Sequence, residues 1–133
     1  YYVAGSTTYG GQKDGLFLQL NDNGDFISNH TFGGNSNDWF SDIERSDDGN
    51  FVLCGTTEAD DYDSWLMKLD QNGSIIWSRN LGFEGMDNAN GVSQLNNSGY
   101  IITGVVETGG NNDYYLIKTD PEGQVDINVN IDD

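Results

Sequence analysis

Apolar residues occur along this chain in short runs, separated by polar segments rich in Gly, Asn and Asp. Two runs, Phe51–Cys54 and Tyr100–Ile102, are apolar at every position. A strand with one face in water alternates polar and apolar residues, so a continuous run indicates a strand that is covered on both faces. The pattern predicts many short strands joined by tight turns, with the central ones buried between layers.

The same pattern returns at a period of about 49 residues. Three similar apolar runs contain Gly5, Gly55 and Gly104 at matching positions. A second set opens with Asp14, Asp63 and Asp113, at spacings of 49 and 50 residues. A third set consists of turns: Asp22-Asn23-Gly24, Gln71-Asn72-Gly73 and Pro121-Glu122-Gly123. Several blocks in one register predict repeats of a single structural unit.

Each repeat is predicted to be a four-stranded antiparallel meander. Asp47-Asp48-Gly49 and Asn97-Ser98-Gly99 mark the turn between its first and second strands. The first strand is expected at 40–46 and 89–95, and the second at 1–6, 50–57 and 100–106. The third is expected at 16–20, 64–69 and 114–119, and the fourth at 25–31, 74–80 and 124–129. No helix is expected.

The clearest copy of the motif lies between Leu66 and Trp77 and reads Leu-Met-Lys-Leu-Asp-Gln-Asn-Gly-Ser-Ile-Ile-Trp. It resembles the Leu-x-Lys-Leu-Asp-x-x-Gly repeats of bacterial secreted and surface β-propellers. The first repeat departs from the pattern at Gln19, Asn21 and Ser28, and the third departs at Thr119 and Ile127. The resemblance implies β-propeller-type blades and an extracellular or cell-surface location. It implies no single activity, because propellers carry unrelated functions.

The repeat divides the chain into residues 1–37, which lack a first strand, and residues 38–86 and 87–133. These amount to nearly three blades, whereas a closed propeller typically has at least four. Further blades are therefore expected from the same protein or from another copy. A β-trefoil-like lectin also has three repeats, but its period is shorter and its Gln-x-Trp signature is absent here.

The chain is strongly acidic, with a formal net charge of -17 from 22 acidic and 5 basic residues. A nucleic-acid backbone would be repelled by that charge. No apolar run is long enough to predict a membrane span. Cations, glycans and protein ligands remain as partner classes. Cys54 is the only cysteine, so the chain has no internal disulfide.

Repeated carboxylates are the candidate metal ligands, because calcium takes oxygen ligands. Three of them are expected just before the third strand, two just before the first strand, and two in the densest acidic stretch, Glu58–Asp63. The predicted ligands are Asp14, Asp63 and Asp113, then Asp38 and Asp87, then Asp60 and Asp61. The same residues suit a structural role, since Asp side chains brace turns by accepting backbone N–H groups. No cofactor other than calcium is indicated.

Exposed aromatic side chains are the second type of candidate. Trp39, Tyr62 and Tyr114 are predicted ligand contacts that could stack on sugar rings, whereas Trp77 matches a packing position of the repeat. Catalysis has little support, because His30 is the single histidine and Cys54 lies in an apolar run. The sequence favours a non-catalytic extracellular binding or scaffold module. The alternative is a fragment of a propeller enzyme that acts on glycans.

Overall fold

The computed structural model describes residues 1–59, 62–83 and 85–128, and these residues form eleven β-strands and no helix. The first three strands are β1 (Tyr2–Tyr9), β2 (Gln12–Leu20) and β3 (Phe26–Phe32). The next four are β4 (Asp38–Arg45), β5 (Phe51–Thr57), β6 (Asp63–Leu69) and β7 (Ile75–Leu81). The last four are β8 (Met86–Gln94), β9 (Tyr100–Thr108), β10 (Asn111–Thr119) and β11 (Val125–Asn128).

The strands form three antiparallel sheets in which neighbours along the chain are neighbours in space. We call them the first sheet (β1-β2-β3), the middle sheet (β4-β5-β6-β7) and the third sheet (β8-β9-β10-β11). The prediction of an all-β fold without helices is confirmed for the described residues, in which the first sheet has three strands and the other two have four. The described residues form an open series of three sheets, with neither a closed barrel nor a closed propeller among them.

The hairpins between the second and third strands of the first and last repeats are longer than predicted. Gly10-Gly11 and Gly109-Gly110 form their turns, and all four glycines have φ between 61° and 94°. Two consecutive residues of positive φ suit the tightest hairpin turns, which is why Gly-Gly occurs here. The strand bounds predicted from the sequence did not take these Gly-Gly pairs into account. The third strand of the repeat therefore begins at Gln12 in the first repeat (β2) and at Asn111 in the last (β10). Asp14 and Asp113 lie within these strands and not before them.

The turns between the third and fourth strands explain the Asp of the repeat motif. The Asp70 carboxylate accepts the backbone N–H groups of Asn72 and Ser74, both at 2.8 Å. Asn21 replaces Asp in the first repeat, and its side-chain oxygen accepts the N–H groups of Asn23 and Asp25 in the same way. The motif residue is therefore a turn brace, and Asn can perform that role.

Two apolar clusters join the three sheets, one on each side of the middle sheet. Along β5, Phe51 and Leu53 enter the cluster shared with the first sheet, while Val52 and Cys54 enter the cluster shared with the third. All seven residues of β5 are buried. Successive side chains of a strand point to opposite faces, so cover on both sides produces the continuous apolar run in the sequence.

Candidate functional site

Asp14 and Asp38 come from different sheets and meet at Gly33. A Cβ atom added to Gly33 would lie 2.7 Å from Oδ1 of Asp14 and 2.6 Å from Oδ2 of Asp38. Asp38 begins β4 and is buried, with 3% of its surface exposed. Gly33 has φ of 157° and separates β3 from β4. A side chain at this position would occupy the space between the two carboxylates.

Asp63 and Asp87 repeat this arrangement between the middle and third sheets. A Cβ atom on Gly82 would overlap the Asp63 carboxylate, as a Cβ on Gly33 would crowd that of Asp14. Asp87 is completely buried, and its Oδ1 atom has no hydrogen-bond partner. Burial raises the pKa of Asp87, and the nearby negative charge of Asp63 raises it further. Glycine at 82 thus leaves room for the Asp63 carboxylate, whose negative charge acts on Asp87 of the next sheet.

One carboxylate oxygen of each first-strand acid accepts a backbone N–H group of the loop before it. Oδ2 of Asp38 accepts the N–H of Gly34 at 3.0 Å, and Oδ2 of Asp87 accepts the N–H of Phe83 at 2.6 Å. The turn-stabilising interpretation is confirmed for both residues. Each lies inside its strand, however, because β4 and β8 begin earlier than our predicted bounds.

The five predicted calcium ligands that the structure describes do not come together as one site. Four form the two pairs described above, Asp113 is exposed on β10, and Asp60 and Asp61 lie outside the described residues. Over the part of the chain that is described, no group of three or more Asp, Glu, His or Cys side chains is arranged to hold a metal ion.

The three aromatic candidates are also apart. Trp39 is half-buried on β4, and the ammonium group of Lys13 lies 5.9 Å from the centre of its ring. Tyr62 lies before β6, where a hydrogen bond to Glu58 raises the pKa of its hydroxyl. Tyr114 is 89% exposed on β10. Its neighbour Tyr115 points the opposite way, into the cluster between the middle and third sheets.

The two outermost faces of the molecule have no covering layer in the described residues. The open face of the third sheet carries Ile101, Thr103, Val105, Tyr114, Leu116 and Lys118, all half-buried or exposed. The matching face of the middle sheet carries Val52, Cys54, Thr56, Ser64, Leu66 and Lys68, which are at most 8% exposed.

The open face of the first sheet carries Tyr1, Val3, Leu16, Leu18 and Leu20. Its counterparts in the middle sheet are Phe51, Leu53, Trp65, Met67 and Leu69, which are at most 7% exposed.

The one cysteine and the one histidine of the chain both lie against a neighbouring sheet. Cys54 is fully buried, and burial raises the pKa of its thiol to about 12, with the negative charge of Asp42 adding to the effect. His30 lies against Gly73 of the middle sheet, with its ring 6.3 Å from that of Phe17.

The sequence did not point to the pairing of acids across sheets. Asp14 and Asp38 are separated along the chain and become neighbours only where two sheets meet. The signal that could have found the pairs is the glycine after the fourth strand, Gly33 or Gly82, which recurs at the repeat spacing.

No protein-family model matches this chain, and no curated protein matches it with significance. Among the described residues, no helix is long and apolar enough to cross a membrane.

Proposed function

We propose that this chain is a non-catalytic, extracellular binding or scaffold module, formed by consecutive blades of a larger β-propeller-type assembly. The observation that carries the proposal is the state of the two outermost faces. They carry the same repeat positions that seal the inner interfaces, but no layer formed by the described residues covers them.

The open face of the third sheet supports this proposal most directly. Val52 and Leu66 of the middle sheet are 0% exposed, because the third sheet covers them. Ile101 and Leu116 occupy the same repeat positions and remain accessible. A contiguous apolar surface of this kind is typical of a site that packs against another protein layer.

The two open faces correspond to the two complementary halves of the interface that joins one sheet to the next. Inside the molecule, the face of one sheet that carries Val52 packs on the face of the next that carries Tyr100. The open face of the third sheet is of the first type, and that of the first sheet is of the second type. Such a head-to-tail interface continues until a ring closes, which favours an added blade over a two-fold dimer.

A scaffold role also agrees with how reactive side chains are used. The buried thiol of Cys54 and the packed ring of His30 serve the inter-sheet contacts. The proposed extracellular location rests on the resemblance of the repeat to those of secreted β-propellers.

We also infer that the Asp63–Asp87 pair is the place where calcium would bind, if calcium is a ligand of this module. The observation behind it is the buried Oδ1 atom of Asp87, which has no hydrogen-bond partner. A buried carboxylate oxygen without a partner is costly, and a cation would offset that cost.

The molar mass in solution, measured by size-exclusion chromatography with light scattering, tests the proposed assembly. The wild-type chain should associate with rising concentration through its open faces. Leu116→Glu, which places a charge on the open face of the third sheet, should remain a monomer. Ile76→Glu is the matched control, because Ile76 is 48% exposed on β7 and should not affect association. A wild-type monomer at every concentration would contradict the proposal.

A further inference from the structure

The strand that corresponds to the second strand of the repeat contains a glycine at the same position in every sheet: Gly5 in β1, Gly55 in β5 and Gly104 in β9. None of the three has a positive φ, so none is needed for a left-handed backbone conformation. Another feature must explain why the residue lacks a side chain in the interior of a strand, where glycine weakens the sheet.

In two of the sheets, that feature is a bulge in the neighbouring first strand. The register of β4 on β5 shifts between Phe40 and Asp42, opposite Gly55. The register of β8 on β9 shifts between Ala89 and Gly91, opposite Gly104. A β-bulge bends the strand and brings its backbone out of the regular ladder.

The bulged backbone lies directly on the glycine. A Cβ atom at Gly55 would overlap the carbonyl oxygen of Trp39, and one at Gly104 would overlap the carbonyl oxygen of Asn88. These are backbone atoms, which cannot move aside as the end of a flexible side chain could. Glycine is therefore required wherever a bulged first strand is paired at this position.

Position 5 of β1 is also a glycine, but no bulged first strand is paired beside it. No heavy atom lies within 4 Å of a Cβ added to Gly5, because the described first sheet has no strand before β1. Any small residue would fit in the molecule as it stands. The glycine has a structural use only when a further strand occupies the free edge of β1.

The rest of β1 also lacks the features that protect a free edge. Its eight residues, Tyr2–Tyr9, include no charged side chain and no proline. Natural edge strands are commonly protected from added strands by such residues. β7, at the outer edge of the middle sheet, carries Arg79.

We propose that the free edge of β1 binds a further antiparallel strand with the pattern of β4 and β8, bulged opposite Gly5. Within the described chain β4 and β8 are already paired, so the occupant is a first strand of the repeat from a polypeptide segment outside residues 1–133. In the register of the middle sheet, its leading Asp pairs with Thr7, as Asp38 pairs with Thr57. This inference rests on the proposed function and deepens it by naming the element that completes the first sheet.

The test uses a synthetic peptide with the sequence of residues 37–46, blocked at both ends, and the isotope-labelled Leu116→Glu chain. This variant keeps β1 intact, so the result does not depend on whether the chain self-associates. Titration to about 1 mM peptide should shift the β1 amide signals with 1:1 stoichiometry and slow their hydrogen exchange. A scrambled peptide of the same composition should leave both unchanged.

Gly5→Ala provides the discriminating variant, made in the same background. Its Cβ meets open space in the unbound chain, so its thermal midpoint should equal or exceed that of its parent. Its affinity for the peptide should fall by at least about tenfold, because the Cβ would overlap the incoming bulged backbone. Ser6→Ala, at the adjacent exposed position, should keep the affinity.

Two results would overturn the inference. One is the absence of any shift in the β1 signals at the highest peptide concentration. The other is equal binding by the Gly5→Ala chain, which would show that a strand adds without the predicted bulge. Because the first result is obtained without the Gly5→Ala substitution, the test does not depend on whether Gly5→Ala folds.

Discussion

The ammonium group of Lys68, on the middle sheet, lies 5.7 Å from the centre of the Tyr100 ring, on the third sheet. The same group forms an ion pair of 2.7 Å with Asp48, in the turn between β4 and β5. A cation on an aromatic face contributes most where water is excluded, and Lys68 is only 8% exposed. One side chain thus links a turn of its own sheet to the core of the next.

Replacing Lys68 by Met should therefore destabilise the fold while keeping most of the buried stem. We expect a loss of about 1 kcal/mol in the free energy of unfolding, because the contact with Tyr100 and the partly exposed ion pair both disappear. Urea denaturation measures this change. Lys118→Met, at the same repeat position on the open face, is the matched control and should have little effect. Equal losses for the two variants would show that the link to Tyr100 adds no stability.

The ion pair also predicts how stability depends on pH. Burial by itself lowers the pKa of Lys68, but its hydrogen bonds with Asp48 and Tyr100 outweigh that effect and raise it. Burial by itself raises the pKa of Asp48, but hydrogen bonds from Lys68 and Asn50 outweigh it and lower the value below 3.8. The contribution of Asp48 should be lost as the pH falls through its folded-state pKa, and that of Lys68 as the pH rises above 10.5. Lys68→Met should therefore be less stable than the wild type mainly between these two pH limits.

Gly55→Ala should be far more damaging than Gly5→Ala, although the two glycines occupy one repeat position. The first Cβ would overlap the backbone of Trp39, while the second meets open space. We expect Gly55→Ala to cost about 3 kcal/mol or more and Gly5→Ala to be neutral or stabilising by up to about 1 kcal/mol. Thermal melting of both variants measures the contrast. A similar loss in both would contradict the assigned role of the bulge.

Asp87→Asn should stabilise the protein at neutral pH. Because the folded-state pKa of Asp87 is raised above 3.8, the folded state binds more protons than the unfolded state at pH values between the two. Asp87 therefore makes stability fall as the pH rises through that interval. Asparagine removes the charge and retains an oxygen for the N–H of Phe83. Urea titrations from pH 3 to pH 8 should show that the free energy of unfolding depends less on pH in the variant than in the wild type. An unchanged dependence would rule out Asp87 as its cause.

Calcium should raise the thermal midpoint if it binds the Asp63–Asp87 pair. A ligand that binds only the folded state adds about 2.7 kcal/mol at a hundredfold excess over its Kd. Asp63→Asn should abolish the response, whereas Asp113→Asn, on the open third sheet, should retain it. Melting in calcium, in chelator and in sodium chloride of equal ionic strength makes the comparison. No shift in the wild-type protein at millimolar calcium would argue against the site.

Cys54 should be unreactive in the folded protein. Its pKa of about 12 leaves almost no thiolate at neutral pH, and the side chain is fully covered. Labelling with a thiol-specific disulfide reagent should be slow in buffer and fast in urea, because reaction requires opening of the fold. Fast labelling under native conditions would show that the middle and third sheets separate readily.

The strand arrangement could be predicted from local chemistry. The repeat spacing, the Asn-Gly type turns and the continuous apolar run at Phe51–Cys54 were enough to predict three meanders and the missing first strand. The hairpin lengths were not predicted correctly, because Gly10-Gly11 and Gly109-Gly110 were not recognised as two-residue turns. That error placed Asp14 and Asp113 in loops.

The sequence by itself determined the repeat, the turns and which strands need cover on both faces, because these depend on near neighbours and on the two-residue period of a strand. Only the tertiary structure decided which acids face each other across sheets and which faces remain open. Those relationships join residues of different repeats, such as Asp14 with Asp38, and depend on how one sheet packs on the next. The difference between Gly5, where a Cβ would meet open space, and Gly55, where it would meet backbone, belongs to the same level, because it depends on which strand is paired there.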